Sequence, residues 1–577
     1  MKSIFSLWNF LSGRRRKQFY FLLALMFASS FAEIISLGLT IPFLGVLTSP
    51  EEVYKHDLIQ PVIQIFNINS PERLILLLTM AFIFAAIFAG LVRLLLLYVM
   101  SKLAFYTGAD IGIDIYRRTL YQDYSVHISR NSSEVFNGIL TKSDHVIAGV
   151  VTPFLTIVSS LIIVAGVVAT LFYIDIVIAA STAAGFGFFY WITIKYTHKR
   201  LQENGQSIAI KGVSLVKSLQ EGLGGIRDVL INGSQEYYCD IFRSSDMDMR
   251  RASSTNQFIS GSPRFIMEAL GITLIAIVAY ILSQQEGGLI PVIPVLGALA
   301  IGAQRLLPLM QQAYHGLSTI KGSLASLDDV LLLLNQPLPE NLDNECKSID
   351  FAKYISLENL SFSYAKDKEW IFKDVNLKIE KGSCVGFVGT TGSGKSTLLD
   401  VIMFLLKPTS GSIKVDNVAI NESNVRAWQK HIAHVPQSIY LSDSSIAENI
   451  AFGMPREDID FKKVEKSAKM ARISKYIEDL DEGYDTHVGE RGVQLSGGQQ
   501  QRIGIARALY QDADVLILDE STSALDDKTE KEVMETIQNL SGKITILIIA
   551  HRLTTLSSCS TIVKVGGQGL LSVKSQE

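Results

Sequence analysis

The strongest sign of this chain's fold is the sequence Gly389-Thr390-Thr391-Gly392-Ser393-Gly394-Lys395-Ser396, which matches the glycine-rich phosphate-binding pattern at every specified position. In this pattern the glycines let backbone N–H groups surround phosphate oxygens, while Lys395 reaches the terminal phosphates and the Ser396 hydroxyl binds Mg2+. Residues 384–388 predict a short buried strand before the loop, and 396–404 predict a helix after it. The order of strand, loop and helix favours a nucleotide site, because the partial positive charge at the helix N-terminus attracts the phosphates. The alternative is an ordinary strand-to-helix turn.

The composition places part of the chain in lipid. Its 577 residues are too many for one hydrophobic core and suggest about three or four domain-sized units. A hydrophobic content of 48% and a mean hydropathy of +0.27 indicate membrane segments. The net charge of -3 and the pI near 6.3 argue against a nucleic-acid partner. The four cysteines lack metal-ligand spacing and are expected to be reduced core or surface residues: Cys239, Cys346, Cys384 and Cys559.

The first half contains six apolar stretches long enough to cross a bilayer. They lie at 19–47, 74–100, 149–173, 176–196, 265–283 and 291–313. The links at 173–175 and 283–290 contain no Lys or Arg, whereas 101–145 and 195–251 are rich in both. The positive-inside rule therefore places the termini and the two long loops in the cytoplasm. The first stretch is too long for a signal peptide and is predicted to be a membrane span.

Three segments between these spans predict further short elements. Turn-like interruptions at 125–133 and 222–232 indicate either elements that dock onto a soluble domain or simple helix-to-helix turns. On the outer side, 51–70 has the spacing of a short amphipathic helix whose regular part begins at Pro61. The alternative for this outer segment is a loop that packs on the helical bundle.

Four charged residues lie within the apolar stretches: Glu33, Arg93, Glu268 and Arg305. Ionisable side chains at membrane depth are costly and usually face the bundle interior or a water-filled cavity, so Arg305, Glu268 and Arg93 are candidate substrate residues. Arg305 is the foremost of them, because a guanidinium can bind phosphate oxygens in pairs. The alternative is a structural ion pair with Glu268 or Glu33, and Glu268 is also spaced to pair with Arg264.

The second half is predicted to be a soluble α/β domain. The expected boundaries are a membrane domain at 1–322, a linker at 323–349 and the soluble domain at 350–577. Residues 514–520 form a continuous apolar strand that ends in Asp519 and Glu520. A strand buried on both faces belongs to a parallel sheet, and ligands bind at its carboxyl end. We therefore expect Asp519 to hold Mg2+ beside Ser396 and Glu520 to polarise the water that attacks the terminal phosphate.

A second anion-binding helix start is predicted between these two motifs. It comprises Ser496, Gly497, Gly498 and Gln499, which precede a strongly helical run from 501 to 510. One nucleotide does not require two phosphate sites in one domain. This start is therefore expected to bind the terminal phosphate held by another copy of the chain, although an isolated Ser-Gly-Gly is more often a turn.

Together these motifs resemble the nucleotide-binding domain of an ABC transporter over about 350–577. The set consists of Tyr364 in Ser-Phe-Ser-Tyr, the phosphate loop, Gln437 in Val-Pro-Gln, Leu-Ser-Gly-Gly-Gln at 495–499, Asp519-Glu520, Ser-Ala-Leu-Asp at 523–526 and His551 in Ala-His-Arg. The resemblance implies that ATP and Mg2+ bind here. It also implies that 389–396 and Thr397 contact the phosphates and that Tyr364 contacts adenine. Ser396, Gln437 and Asp519 would contact Mg2+. Glu520, His551 and Gln437 would act in hydrolysis, and 496–499 would complete a partner's site.

Six membrane helices ahead of one such domain resemble an exporter half-transporter. This resemblance implies an all-α polytopic transmembrane domain followed by an α/β P-loop nucleotide-binding domain. It also implies a homodimer with swapped helices and two hydrolytic sites, in a bacterial cytoplasmic membrane with the nucleotide-binding domain in the cytoplasm. The segments 125–133 and 222–232 would couple the two domains, and Gly-Glu-Arg-Gly at 489–492 would touch the membrane domain.

The membrane half resembles the lipid-linked oligosaccharide flippase of bacterial protein N-glycosylation and its polysaccharide relatives. The resemblance is carried by 34–47, the outer segment, 262–268 and 303–308, with Tyr314 and His315 following. It implies that the outer helix engages a polyprenyl tail while Arg305 holds the pyrophosphate. Gln312 departs from the pattern, because a second basic residue is expected two turns beyond Arg305.

These patterns predict an ATP-driven exporter or flippase, with a lipid-linked glycan drawn from the membrane as the leading cargo. Drugs, lipids and peptides are the alternative cargoes. An ATP-gated channel or regulator is a different class of function, which the intact Glu520 and 496–499 disfavour. A soluble ATPase of DNA repair or translation is excluded by the six apolar stretches.

Overall fold

The chain forms two units in a computed structural model. The structure describes residues 2–48, 50–55, 60–66, 68, 70–174, 176–283, 293–339, 348–365, 369–520, 526–538, 542–550, 559–566 and 571–575. The first unit comprises Met1–Gln122 and Ser129–Leu338, and the second comprises Asp123–Ile128 and Pro339–Glu577. The predicted order of a helical membrane domain followed by an α/β domain is confirmed.

The part of the chain before residue 335 is helical wherever the structure assigns it a regular element. The helices are α1 (Lys2–Phe10), α2 (Gly13–Gly38), α3 (Thr40–Thr48), α4 (Pro50–Lys55), α5 (Gln60–Ile65), α6 (Pro71–Leu120), α7 (Tyr124–Ser129), α8 (Ser132–Phe136), α9 (Ser143–Val146), α10 (Thr152–Ile174), α11 (Ile176–Gly224), α12 (Ile226–Asn232), α13 (Gln235–Ser283) and α14 (Ile293–Leu334). Two π-helical turns, Asn137–Lys142 and Ile147–Val151, join α8, α9 and α10.

Three stretches among the described residues are long and apolar enough to cross a membrane. They are Gly13–Leu47, Pro71–Leu120 and Ser132–Thr170. Large apolar side chains such as Phe84 and Leu91 lie exposed on α6, as expected for a surface that lipid covers. The other three predicted spans fall on α11, α13 and α14, which include side chains outside the described part, so the count of six remains a prediction.

The last helix of the first unit corrects the predicted linker. Residues 323–334 were expected to begin the linker, but α14 continues through them to Leu334. The reason lies in four buried apolar residues at helical spacing, Leu327, Val330, Leu331 and Leu334, which pack with side chains of α2, α6 and α10. Burial of this stripe extends the helix beyond the point where the composition becomes polar.

The outer segment 51–70 contains two short helices among its described residues. It contains α4 and α5, and Pro61 lies in the first turn of α5, a position that tolerates proline. Ile63 and Ile68 are buried against Val46 and Leu74, so the segment also packs on the bundle. Residues 56–59 lie outside the described residues.

The second unit contains two sheets. Its strands are β1 (Tyr354–Phe362), β2 (Phe372–Glu380), β3 (Cys384–Val388), β4 (Ser410–Val415), β5 (Val418–Ala419), β6 (Ile432–Val435), β7 (Val515–Asp519), β8 (Thr545–Ile549), β9 (Thr561–Val565) and β10 (Leu571–Ser575). Its helices, besides α7, are α15 (Lys395–Ile402), α16 (Val425–Gln429), α17 (Ile446–Ile450), α18 (Phe461–Met470), α19 (Ser474–Glu478), α20 (Gly497–Tyr510) and α21 (Asp527–Gln538).

The larger sheet brings the predicted motifs to one edge. Its strand order is β10-β9-β3-β8-β7-β6, and all neighbours are parallel except β9 and β10. The side chains of β3, β7 and β8 are almost all buried, which explains their unbroken apolar sequences. The phosphate loop follows β3, and Asp519 ends β7 two strands away. Both therefore lie at the carboxyl edge, as the sequence predicts.

Candidate nucleotide-binding site

The phosphate loop connects β3 to α15 as predicted. Gly394 precedes α15 with a φ of 90°, a left-handed conformation that favours glycine, and a Cβ added there would lie 2.6 Å from Cγ2 of Ile371. The buried Lys395 folds back over the loop. Its Nζ donates to the carbonyls of Gly389 at 3.0 Å and Thr390 at 3.1 Å. An ammonium held in this position is placed to bind the terminal phosphate oxygens of a nucleotide.

Two of the three residues predicted to hold Mg2+, Ser396 and Asp519, lie together at the end of β7, whereas the third, Gln437, is hydrogen-bonded to Glu520. The Ser396 hydroxyl donates to Oδ1 of Asp519 over 3.3 Å. Burial raises the pKa of Asp519, and burial together with the charge of Asp519 raises the pKa of Asp400 to about 6. A hydroxyl beside a partly desolvated carboxylate, that of Asp519, supplies oxygen ligands of the kind a hard divalent cation prefers. The buried Ser393 hydroxyl has no hydrogen-bond partner among the described residues, which fits a loop that binds an anion.

The predicted hydrolytic residues Glu520 and Gln437 meet in the structure. Glu520 follows β7 with a φ of 47°, an uncommon conformation for a residue with a side chain. Its N–H donates to the carbonyl of Ile549 at 3.1 Å, and its Oε2 accepts from Nε2 of Gln437 at 2.7 Å. The two motifs are therefore joined across the edge of the sheet. His551 and residues 523–525 lie outside the described residues.

Tyr364, the candidate adenine-stacking residue, lies beside the phosphate loop. Its hydroxyl is 3.1 Å from Oγ1 of Thr397, the residue after Ser396. Its ring contacts Phe362 edge to face, with centroids 5.1 Å apart, and half of its surface is exposed. A half-exposed aromatic ring held by a neighbouring ring and by its hydroxyl suits stacking against a base.

The second anion-binding helix start is present at α20. The exposed Ser496 caps the helix: its hydroxyl accepts from the N–H of Gln499 at 3.3 Å, and its own N–H donates to Oε1 of Gln499 at 2.7 Å. Gly497 and Gly498 form the first turn. No hydrogen bond joins 496–499 to the phosphate loop in the described part of the chain. Because Ser496 is exposed, this helix start is accessible to another molecule.

Sequence reasoning missed three residues near this site. Asp400 lies on α15 near Asp519, and Tyr124 of α7 lies near enough to Asp400 for that acid to raise the pKa of the phenol, after burial. Lys407 forms an ion pair with Asp123 at 2.8 Å. The segment Asp123–Ile128 is thus part of the second unit, which agrees with the docking interpretation of 125–133 for these residues. The only signal for Asp400 was an acid one turn beyond the phosphate loop.

The candidate substrate residues are not brought together among the described side chains. Arg93 lies 3.7 Å from the buried Glu33, and Glu268 pairs with Arg264 at 2.8 Å. The local pair of Glu268 with Arg264 is the alternative that the spacing suggested. Arg305 lies on α14, but its side chain is outside the described part of the chain.

Two family models match this chain. Residues 54–286 match the ABC transporter transmembrane region, and residues 372–523 match the ABC transporter family. The second match contains the phosphate loop, 496–499 and Asp519-Glu520, whereas Tyr364 precedes it.

Several curated proteins are similar to the chain over most of its length. An ATP-dependent lipid A-core flippase of Alkalilimnicola ehrlichii is 31% identical over 64% of this chain, and the match spans 63% of that protein's length. A protein of the same name from Cupriavidus pinatubonensis is 27% identical over 81% of this chain and 79% of its own. A putative multidrug export ATP-binding/permease protein of Bacillus subtilis is 29% identical over 75% and 73% of the two chains.

A solved structure shares the fold. The structure of a bacterial Atm1-family ABC exporter with ATP bound superimposes with a TM-score of 0.77 over 97% of this chain and 95% of that chain. The sequence identity is 21%, so this likeness supports the fold alone.

Proposed function

This chain belongs to the ABC exporters, and from that premise we propose that it hydrolyses ATP to move a lipid-linked glycan across the bacterial cytoplasmic membrane. The observation that carries the ATPase part is the meeting of Lys395, Ser396, Asp519 and Glu520 at one edge of the larger sheet. A phosphate loop, a strand-end carboxylate and a following glutamate are the parts that phosphoryl transfer requires.

Each of these residues has a separate role in the proposed reaction. Lys395 neutralises the terminal phosphates, and Ser396 with Asp519 would hold Mg2+. Bound Mg2+ supplies charge neutralisation at the phosphate oxygens. Glu520 accepts a proton from the attacking water. Gln437, which is hydrogen-bonded to the Glu520 carboxylate, orients that carboxylate.

The working unit is proposed to be a homodimer. Ser496 is exposed and has no hydrogen bond to the phosphate loop in the described residues, so a second copy would supply this helix start to each site. On and just before α12, the apolar side chains of Leu223, Leu230 and Ile231 are more than half exposed. Such a patch on a cytoplasmic loop is expected to be covered by a partner.

The cargo is proposed to be an amphiphilic lipid with a phosphorylated saccharide head. Two of the similar proteins are named as lipid A-core flippases. The sequence motifs of the membrane half add the resemblance to flippases of lipid-linked oligosaccharides. Gln312 stands where a second basic residue was expected, and its Oε1 lies 3.5 Å from the Ser160 hydroxyl. Recognition of a pyrophosphate would thus depend mainly on Arg305.

Transport in proteoliposomes tests this proposal. The purified full chain would be offered three fluorescent cargoes in turn: a polyprenyl-pyrophosphate oligosaccharide, lipid A-core and a cationic drug. We expect ATP-dependent movement of the first, and no movement of it by a Glu520→Gln variant. Movement of the drug alone would replace the glycan with the multidrug alternative. Many turnovers of any cargo by Glu520→Gln would contradict an ATP-driven pump.

Replacement of Arg305 tests the cargo separately from the ATPase. Arg305→Ala removes the proposed phosphate contact, so the ratio of cargo-stimulated to unstimulated ATPase activity should fall towards one. Gln304→Ala, at the preceding exposed position, is the matched control and should keep the stimulation. Equal stimulation in both variants would make Arg305 a structural residue.

A further inference from the structure

The segment Asp123–Ile128 belongs to the second unit, although its neighbours on both sides in the chain belong to the first. Its first residue, Asp123, accepts a hydrogen bond from Nζ of Lys407 at 2.8 Å. The same Nζ donates to Oε1 of Glu422, also at 2.8 Å. One lysine therefore holds the segment and an acid of the second unit at the same time.

Lys407 connects this segment to the nucleotide site. It lies five residues after the end of α15, the helix that begins in the phosphate loop. The next residue of the segment, Tyr124, is near both Asp400 on α15 and Tyr364, the candidate adenine-stacking residue, as the effect of their charges on the Tyr124 pKa indicates. Asp123 thus contacts a residue just beyond α15, and Tyr124 lies near Asp400 on α15, the helix that begins in the phosphate loop.

We propose that Lys407 is a latch for the segment 123–128, shared between Asp123 and Glu422, and that it acts as a positioning residue for the nucleotide site. When the segment leaves, the Lys407 ammonium keeps its hydrogen bond to Glu422 and is solvated by water, so release of Asp123 costs little free energy. The three side chains are partly exposed, and exposed ion pairs of this kind change an equilibrium by only about 1.4- to 5-fold, so the latch is reversible.

The sharing predicts effects of opposite sign. Asp123→Asn removes the latch contact and should increase the undocked fraction of the segment. Glu422→Gln removes the competing acid, so Lys407 depends on Asp123 alone and the undocked fraction should fall. Lys407→Met, which removes the charge, should increase the undocked fraction as Asp123→Asn does. Lys407→Arg, which keeps the charge, should leave the segment docked. Glu358→Gln is the matched control, because it breaks another surface ion pair of the second unit, with Lys414.

Hydrogen exchange of the full chain in lipid nanodiscs measures the docked fraction directly. Amides of 123–128 should exchange about 1.4- to 5-fold faster in Asp123→Asn and more slowly in Glu422→Gln, with no change in Glu358→Gln. Equal exchange in Asp123→Asn and the control would overturn the latch. A change of the same sign in Asp123→Asn and Glu422→Gln would overturn the sharing.

ATPase kinetics on the same samples test what the latch controls. This part rests on the proposed function, whereas the exchange measurement does not. Because Lys407 touches no reacting atom, Asp123→Asn and Lys407→Met should lower kcat only by a factor similar to their effect on exchange, and Lys407→Arg, which keeps the charge, should leave kcat close to normal. An exchange change with unaltered kcat and KM would retain the latch and remove its role in turnover. Absence of ATPase activity in the unmodified chain would instead contradict the proposed function.

Discussion

Glu520 is the residue on which turnover should depend most. Its carboxylate follows β7 and already accepts a hydrogen bond from Gln437, so Glu520→Gln keeps the shape and removes the base. A general base contributes about 100- to 10,000-fold, so kcat should fall at least 100-fold. Nucleotide binding should persist, because Lys395 and Ser396 are untouched. Steady-state ATPase and binding of a fluorescent ATP analogue measure the two effects, with Glu535→Gln on α21 as the control.

His434 predicts a pH dependence of stability. It lies on β6, and burial lowers its pKa to about 4. The unfolded chain binds this proton with a pKa near 6.5, so protonation favours unfolding. Its contribution to stability is therefore complete above about pH 6.5 and lost as the pH falls towards 4, by about 2 kcal/mol at pH 5. Thermal unfolding between pH 7.5 and 5 should show a smaller loss for His434→Tyr, and an unchanged loss would refute the assignment.

At the scale of elements, helices α11 and α14 approach closely at a pair of glycines. A Cβ on Gly205 would lie 2.3 Å from the carbonyl oxygen of Gly322 and 2.9 Å from its carbon, and backbone atoms cannot yield as a side chain can. Gly205→Ala should therefore destabilise the first unit by about 1–3 kcal/mol. Gly261→Ala on α13, where nothing lies within 4 Å, should be neutral or stabilising. Equal melting temperatures of the two variants in one detergent would show that α11 and α14 can move apart without cost, and would contradict the close contact between Gly205 and Gly322.

Elements set by local chemistry were predictable from the sequence. The strand, loop and helix around 389–396, and β7 with its terminal acids, follow from residue types at fixed spacing. The relation between Lys407 and Asp123 was not predictable, because the two residues are 284 positions apart and only folding brings them together. The predicted boundary at 322 was wrong for a different reason: the composition becomes polar there, but burial of the apolar stripe 327–334 extends α14 to Leu334.

At the scale of the whole molecule, the described contacts divide the proposed site between two groups of residues. One group, with Lys395, Asp519 and Glu520, lies at the sheet edge, and the other is the exposed helix start at Ser496. A symmetric dimer would pair the first group of each copy with the second group of the other. Each ATP would then bind at an interface, so its hydrolysis could separate the two copies and drive the membrane helices.

Complementation between inactive chains tests this division. Lys395→Ala disables the phosphate loop, and Ser496→Arg blocks the helix start, so each variant alone should lack ATPase activity. In a mixed dimer, both defects fall in one shared site and the other site is intact. An equal mixture should therefore recover about a quarter of normal activity, because about half of the dimers are mixed and each has one working site. Sites built within single chains would recover nothing, and dual-tag purification of the mixed dimer separates that outcome from a failure to assemble.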